Sequence, residues 1–306
     1  MFFNKQETKT ANPQYICILG ASATGLYLAH ILQLFGHNVS IICSPTEADE
    51  MNATDIIIKN SHKLQNQRCN FKFCHEIPPH TQILIIASDI TSIRRDLLLI
   101  NPQNLIKTFI LNLTPVFPFG FTSEILHHSV INGYFNGWIT RHKNTVSLLS
   151  DNHYLDISVS PNEDTETKQL LTLFPQERID TKFSTNSSEN FWKWLVPNAL
   201  AFLFETVYDK PVSTLMKSAH IKQSADSCLK EFMNLASQNN ITLNKNTVLN
   251  TIYSLNEHLY TDINERKDLS RLHLEKIISL IFSGSSPDYR RHPCIYNLAQ
   301  QIIKKL

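Results

Sequence analysis

Residues 15–43 read YICILGASATGLYLAHILQLFGHNVSIIC, and this stretch decides the fold. Tyr15–Leu19 is a short apolar run, the pattern of a strand buried on both faces. It leads into Gly20-Ala21-Ser22-Ala23-Thr24-Gly25, a turn with glycine at its first and last positions. An amphipathic helical segment follows and closes at Gly36, a residue type suited to a left-handed C-terminal cap. Asn38–Cys43 is a second apolar run. Strand, glycine turn, helix, glycine and strand make one right-handed crossover unit. The chain has only 7 glycines in 306 residues, so finding three of them at the joints of this unit is informative.

Working outward, Thr54–Lys59, Gln82–Ala87 and Thr108–Leu113 read as further strands, with a helix around Asp96–Leu99. Strands alternating with helices predict a parallel sheet covered on both faces. Between Gly133 and Ser160 the texture changes to short alternating segments, which predict antiparallel strands closing the first domain. Phe183–Glu189 (FSTNSSE) is polar and turn-rich, which predicts a boundary and a helix N-cap. Helical periodicity then runs through Asn190–Tyr208, Ala219–Asn239, Thr247–Glu257, Leu269–Phe282 and Cys294–Leu306. The expected fold class is α/β: an N-terminal Rossmann-like, doubly wound, mostly parallel sheet over residues 1–183, then an all-helical C-terminal domain over 184–306. Clefts between two such domains are common substrate sites.

Composition narrows the function. Hydrophobic residues make up 42% and charged residues 18%, enough to build a core and too apolar for disorder. The net charge is +1 with scattered lysines and arginines, which argues against nucleic acid or an anionic membrane as partner. No apolar run is long enough to span a bilayer, and the first residues have no signal-peptide core, so the expected location is the cytoplasm. The six cysteines (Cys17, Cys43, Cys69, Cys74, Cys228, Cys294) are dispersed, and the Cys69–Cys74 spacing is not that of a zinc knuckle. Reduced, packed thiols and no metal are expected.

The glycine turn carries the chemistry. In a G-x-G-x-x-G turn the first glycine makes the tight bend, the second lets backbone approach a pyrophosphate, and the third lets helix pack on strand. Here Ser22 holds the second position; it is small, and its hydroxyl is suited to donate to a phosphate oxygen. The helix start behind it supplies N–H groups and a positive dipole end. Gly20, Ala21, Ser22, Ala23, Thr24 and Gly25 are therefore the expected dinucleotide cradle. At the end of the second strand an acidic residue normally holds a ribose diol, and an arginine accepts a 2′-phosphate. Cys43-Ser44-Pro45-Thr46 offers neither, and Ser44 or Thr46 is able to bond either group, so NADH and NADPH both stand. Ser88 and Asp89 follow a parallel strand, where ligands collect.

The layout resembles the ketopantoate reductase (2-dehydropantoate 2-reductase) family over nearly the full length. Ile16–Ile42 has the dinucleotide turn, the helix and Gly36-His37-Asn38-Val39, which fits that family's G-H-x-V form. In residues 110–120 (ILNLTPVFPFG), Asn112 matches the family's asparagine and Leu113 stands where the family has glycine. Phe191–Asn198 (FWKWLVPN) opens the helical domain. The resemblance implies hydride transfer from NADPH, with NADH admitted, to a small 2-keto acid, ketopantoate first. It also implies a lysine general acid helped by asparagines and a late glutamate, which map to Lys193, Asn198 and Glu275, with Asn112 at the cofactor. The residue types suit the reaction. Hydride arriving at a carbonyl carbon leaves negative charge on oxygen, which an ammonium neutralises or protonates, while amide groups orient the substrate.

The match is uneven. The family places its lysine four residues before its asparagine; Lys193 is five before Asn198, and Trp194 holds the expected place. On a regular helix five residues put side chains roughly 140° apart, and Pro197 between them is able to shift the register. Where the family has a lysine near the nicotinamide, this chain has Ser88-Asp89-Ile90. A second reading follows: a non-catalytic relative acting as a nucleotide or ligand sensor or an interaction module. A third is another dehydrogenase with a helical second domain, of opine or hydroxy-acid type. The aromatic cluster of Phe191, Trp192, Trp194, Phe202 and Phe204 suits interdomain packing or a homodimer.

Overall fold

The structure, a computed structural model, describes residues 13–60, 65–89, 92–114, 121–137, 139–148, 153–159, 173–174, 179–254 and 292–305. The strands in chain order are β1 (Tyr15–Leu19), β2 (Asn38–Ile42), β3 (Ile56–Asn60), β4 (Gln65–Cys69), β5 (Lys72–Cys74), β6 (Ile83–Ile86), β7 (Phe109–Asn112), β8 (Ile131–Asn136), β9 (Ile139–His142), β10 (Thr145–Leu148), β11 (Tyr154–Ser158) and β12 (Asp180–Ser184). The helices are α1 (Ala23–Leu34), α2 (Pro45–Asn52), α3 (Ile93–Leu97), α4 (Phe121–Leu126), α5 (Ser187–Tyr208), α6 (Val212–Leu215), α7 (Ala219–Gln238), α8 (Lys245–Ser254) and α9 (Pro293–Lys305). The described residues up to Thr185 form one compact unit and those from Asn186 a second.

The first unit is built on an eight-stranded sheet in the order β12-β11-β8-β7-β6-β1-β2-β5. From β5 to β8 every neighbour is parallel, which is the doubly wound order of a dinucleotide-binding domain. β11 runs antiparallel to β8, and β12 lies parallel to β11. The central strands are apolar throughout because both faces are covered; all four residues of β6 are buried. Leu19, Ile42, Ile86 and Asn112 lie level at the C-terminal ends of β1, β2, β6 and β7. The chain order reverses between β1 and β6, so the loops just past that level meet at the switch point of the sheet.

A second sheet, β4-β3-β10-β9, belongs to the same unit. Two expectations change here. Thr54–Lys59 does form a strand, β3, but it pairs with β4 and β10 and not with the parallel sheet. The third strand of the parallel order is instead the three-residue β5. The hairpin β9–β10 also joins this second sheet. Its consequence is seen in α1, which packs on β1 and β2 from one side and meets β9 and β10 as well. All residues from Gly25 to Leu32 are buried, so α1, predicted as amphipathic, is enclosed over this stretch on every face. Enclosure puts His30 in the core, where its Nδ1 hydrogen-bonds Cys69 Sγ of β4 at 3.1 Å.

In the second unit α5 is the long central helix; α6, α7, α8 and α9 pack around it. Phe202, Phe204 and Phe232 are among its fully buried side chains. The start of α9 is held by a buried carboxylate from α7. Cys294 N–H donates to Glu231 Oε1 at 2.8 Å and Ile295 N–H to Oε2 at 2.9 Å. An acid at a helix N-terminus satisfies orphan amides and complements the dipole. The expected helix over Leu269–Phe282 lies outside the described residues. Among the described residues no helix is long and apolar enough to cross a membrane.

Candidate functional site

The turn between β1 and α1 sits at the switch point, and each of its residues has a definite task. Gly20 has φ +101°, and a Cβ there would lie 2.5 Å from Ser88 Cα and 2.8 Å from Ser88 N. Only glycine lets the turn lie directly on the backbone after β6. A Cβ on Gly25 would collide with the Gly20 carbonyl oxygen, so this second glycine brings helix and strand together. Gly20 N–H donates to Ile42 O at 2.8 Å and Ala87 N–H to Leu19 O at 2.9 Å, which extends the ladder past the strand ends into the turn.

Ser22 departs from expectation. Its side chain is buried, its hydroxyl donates to Ala87 O, and its oxygen accepts from Gly25 N–H at 3.0 Å. The single hydroxyl proton therefore ties the turn to the end of β6 and is not offered to a phosphate. Ser22 is the N-cap of α1 and leaves the amides of Ala23 and Thr24 in the first turn without an intrahelical acceptor. With the serine side chain turned inward, these N–H donors of the first turn suit a dinucleotide phosphate.

The neighbouring strand ends complete the site. Ser44 is half-buried and caps α2, accepting from Glu47 N–H at 3.3 Å. Ser88 is buried and donates from Oγ to Leu19 O at 3.2 Å. Asp89 is exposed, and its carbonyl accepts from Ser92 and Ile93 N–H, both at 2.9 Å. Asn112 is buried with both ends of its amide engaged. Its Oδ1 accepts from Thr114 N–H and its Nδ2 donates to Asn132 Oδ1, both at 3.1 Å. It fixes the bend after β7, and Thr114 Oγ1 links that bend to Ser88 O at 2.9 Å. Burial, followed by the charge of Glu47, pushes the Cys43 thiol up to about 12, so the end of β2 holds a neutral thiol.

Two residues that were not legible in the sequence complete this cluster. Arg141, from β9, donates through Nη1 to Ala21 O in the glycine turn and forms an ion pair with Glu47 Oε1 at 3.0 Å. Glu47 lies one residue beyond Cys43–Thr46, the stretch at the end of β2 where this fold normally carries its cofactor-selecting group. Arg141 comes from the second sheet, and no local pattern announces it.

The residues expected to act on the substrate lie in the second unit. Lys193 on α5 is half-exposed and pairs with Glu189 Oε1 one turn earlier at 2.7 Å. Asn198 is buried and donates from Nδ2 to Trp194 O at 2.6 Å. Pro197 lies inside α5 without interrupting it, so the two side chains keep their five-residue separation on a continuous helix. Glu275 lies outside the described residues. Among the described residues no group of three His, Cys, Asp or Glu side chains is placed to hold a metal ion.

No protein-family model and no curated protein sequence matches this chain. Solved structures do match its fold along almost the whole length. The ternary structure of D-mandelate dehydrogenase with NADH and anilino(oxo)acetate superposes with a TM-score of 0.71 at 15% identity, covering 95% of this chain and 98% of that one. A ketopantoate reductase from Ralstonia eutropha JMP134 gives 0.70 at 15% identity over the same shares. The 2-dehydropantoate 2-reductase from Geobacter metallireducens GS-15 gives 0.65 at 15% identity, covering 95% of this chain and all of that one. The fold implied by the sequence resemblance is thus the fold found: a Rossmann-like unit followed by a helical one.

Proposed function

We propose that this chain is an NAD(P)-dependent reductase of a small 2-keto acid, with ketopantoate the first substrate to test. The observation that carries this reading is the Gly20–Gly25 turn, with the first-turn amides of α1 behind it, at the switch point of the doubly wound sheet. The likeness to a D-mandelate dehydrogenase holding NADH and to ketopantoate reductases supports it. In this reading the first unit binds the dinucleotide and the second supplies substrate contacts and a dimer face.

When bound, the nicotinamide supplies the hydride. The chain's own residues do the rest. The amides of Ala23 and Thr24 hold phosphate, and Ser88, Asn112 and Thr114 fix the loops at the strand ends. Lys193 holds a proton at Nζ for the alkoxide oxygen, and Glu189 orients that ammonium. Asn198 shapes the helix beside it by bonding Trp194 O. Purified protein is to be assayed with NADH and NADPH against a panel of 2-keto acids including ketopantoate. Turnover is expected with at least one acid, and Lys193→Met should lower kcat by roughly 10²–10⁴. Absence of nicotinamide-dependent turnover with every acid sinks the reading.

The non-catalytic alternative has its own support. Lys193 is half-exposed and bound to a glutamate on its own helix, and the Asn198 amide is bonded to that helix as well. Dinucleotide binding without turnover, unchanged by Lys193→Met, would favour this sensor reading.

A further inference from the structure

We propose that Glu47 is the acceptor for the hydroxyls of the adenosine ribose and that it selects NADH over NADPH. The inference rests on the dinucleotide reading above and deepens it. Glu47 lies in the first turn of α2, about 20 residues past Gly25, the separation at which this fold places its ribose-binding acid. Its side chain is turned back toward the glycine turn. Arg141 Nη1, 3.0 Å from Glu47 Oε1, also donates to Ala21 O, so one nitrogen joins the carboxylate to the turn. An adenosine ribose bound in this fold lies between the glycine turn and the end of β2, beside that carboxylate.

The hydrogen-bonding inventory decides which member of the pair meets the ribose. Arg141 Nε donates to Lys143 O at 2.7 Å, Nη1 serves Ala21 O and Glu47, and Nη2 approaches Met51 Sδ at 3.0 Å. Every guanidinium nitrogen is engaged, so no two-pronged fork remains for a phosphate. A carboxylate has about four acceptor sites, and among the described residues Glu47 uses Oε1 for Arg141 alone. It keeps capacity for two hydroxyl donors. A 2′-phosphate, carrying close to two negative charges, would instead meet a carboxylate whose neighbouring cation, Arg141, is already committed to protein partners. The charges at the end of β2 agree: beyond burial, Glu47 and then Cys74 raise the Cys43 thiol, Arg141 lowers it, and Asp96 adds a smaller upward push.

The test is calorimetric titration of the full chain with NADH and NADPH, repeated with ADP-ribose and its 2′-phosphorylated form to remove any contribution of the nicotinamide. The wild type is expected to bind NADH at least ~10-fold more tightly than NADPH, and Glu47→Gln to bring the two within ~3-fold by weakening NADH. Glu47 is about a third exposed, so Glu47→Gln should keep the fold, and its thermal unfolding curve verifies this. The inference is overturned if NADPH binds as tightly as NADH, or if Glu47→Gln leaves the ratio unchanged. It is also overturned if Arg141→Met loses NADPH affinity alone, which would assign the arginine to a phosphate. Failure of the wild type to bind any of the four compounds refutes the dinucleotide reading itself, a different outcome from a wrong preference.

Discussion

Replacing Gly20 with alanine tests whether the turn lies on the β6 loop as described. Two costs add. Gly20 has φ +101°, and left-handed backbone costs an L-residue about 1–2 kcal/mol. The new Cβ would also lie 2.5 Å from Ser88 Cα and 2.8 Å from Ser88 N. These are backbone atoms of the sheet's switch point and cannot rotate away, so the turn and the β6 loop must separate. Overpacking of this kind costs about 1–3 kcal/mol. A combined loss near 3 kcal/mol is a large share of the roughly 5–15 kcal/mol that holds a domain. At about 2–4 °C per kcal/mol it lowers the Tm of the first unit by about 6–12 °C. Calorimetry and urea unfolding measure the loss. Gly36→Ala is the control: Gly36 is exposed with φ +84°, so it carries the backbone cost at a surface position. If Gly20→Ala costs no more than Gly36→Ala, the contact with Ser88 is wrong.

Other expectations follow from the same structure. Glu231→Ala removes two hydrogen bonds to a buried charge at the start of α9 and should cost about 3–5 kcal/mol in urea unfolding, with Glu231→Gln intermediate; a change below ~1 kcal/mol would show that α9 does not depend on this cap. Among the cysteines, the hydrogen bond from Cys17 lowers the Cys74 thiol while burial pushes Cys43 up to about 12 and Cys69 up to about 11, so iodoacetamide on the native protein should label Cys74 first; earlier labelling of Cys43 or Cys69 by peptide mass spectrometry contradicts this. Burial lowers the His37 pKa from its usual 6.5, and its Nδ1 accepts from Gln14 N–H. The unfolded chain then takes up this proton at higher pH than the folded one, so stability is unaffected above 6.5 and falls as pH drops from there through the lower folded value. His37→Asn should flatten that part of the stability–pH curve, and an unchanged slope would exclude His37 as its source.

The crossover from β1 through α1 to β2 was legible because its signals are local: an apolar run, a glycine turn and a glycine cap. The strands β6 and β7 were legible for the same reason. The destination of β3 was not, since an apolar run such as residues 56–58 suits either sheet, and its partner β10 lies almost ninety residues later in the chain. β5 has only three residues, too few to show a period. The enclosure of α1 also depends on that distant second sheet. At the site, the glycines announced themselves, but the role of Ser22 depends on Ala87 O, which only the folded sheet brings within reach. Arg141 is separated from Ala21 by 120 residues and reaches it through a hairpin of another sheet. Glu47 stands in the first turn of α2, just past the strand end, and its link to the glycine turn runs through Arg141, 94 residues away in the chain.

The central claim is that the glycine turn at the switch point binds a dinucleotide. Amide-resolved NMR of perdeuterated protein during titration with NADH tests it most directly. Saturable shifts are expected, centred on the N–H groups of Ala23 and Thr24, with neighbours at Ser44, Glu47 and Ser88, and no change in helix α7. Shifts confined to the helical unit, or none at millimolar NADH, would contradict it.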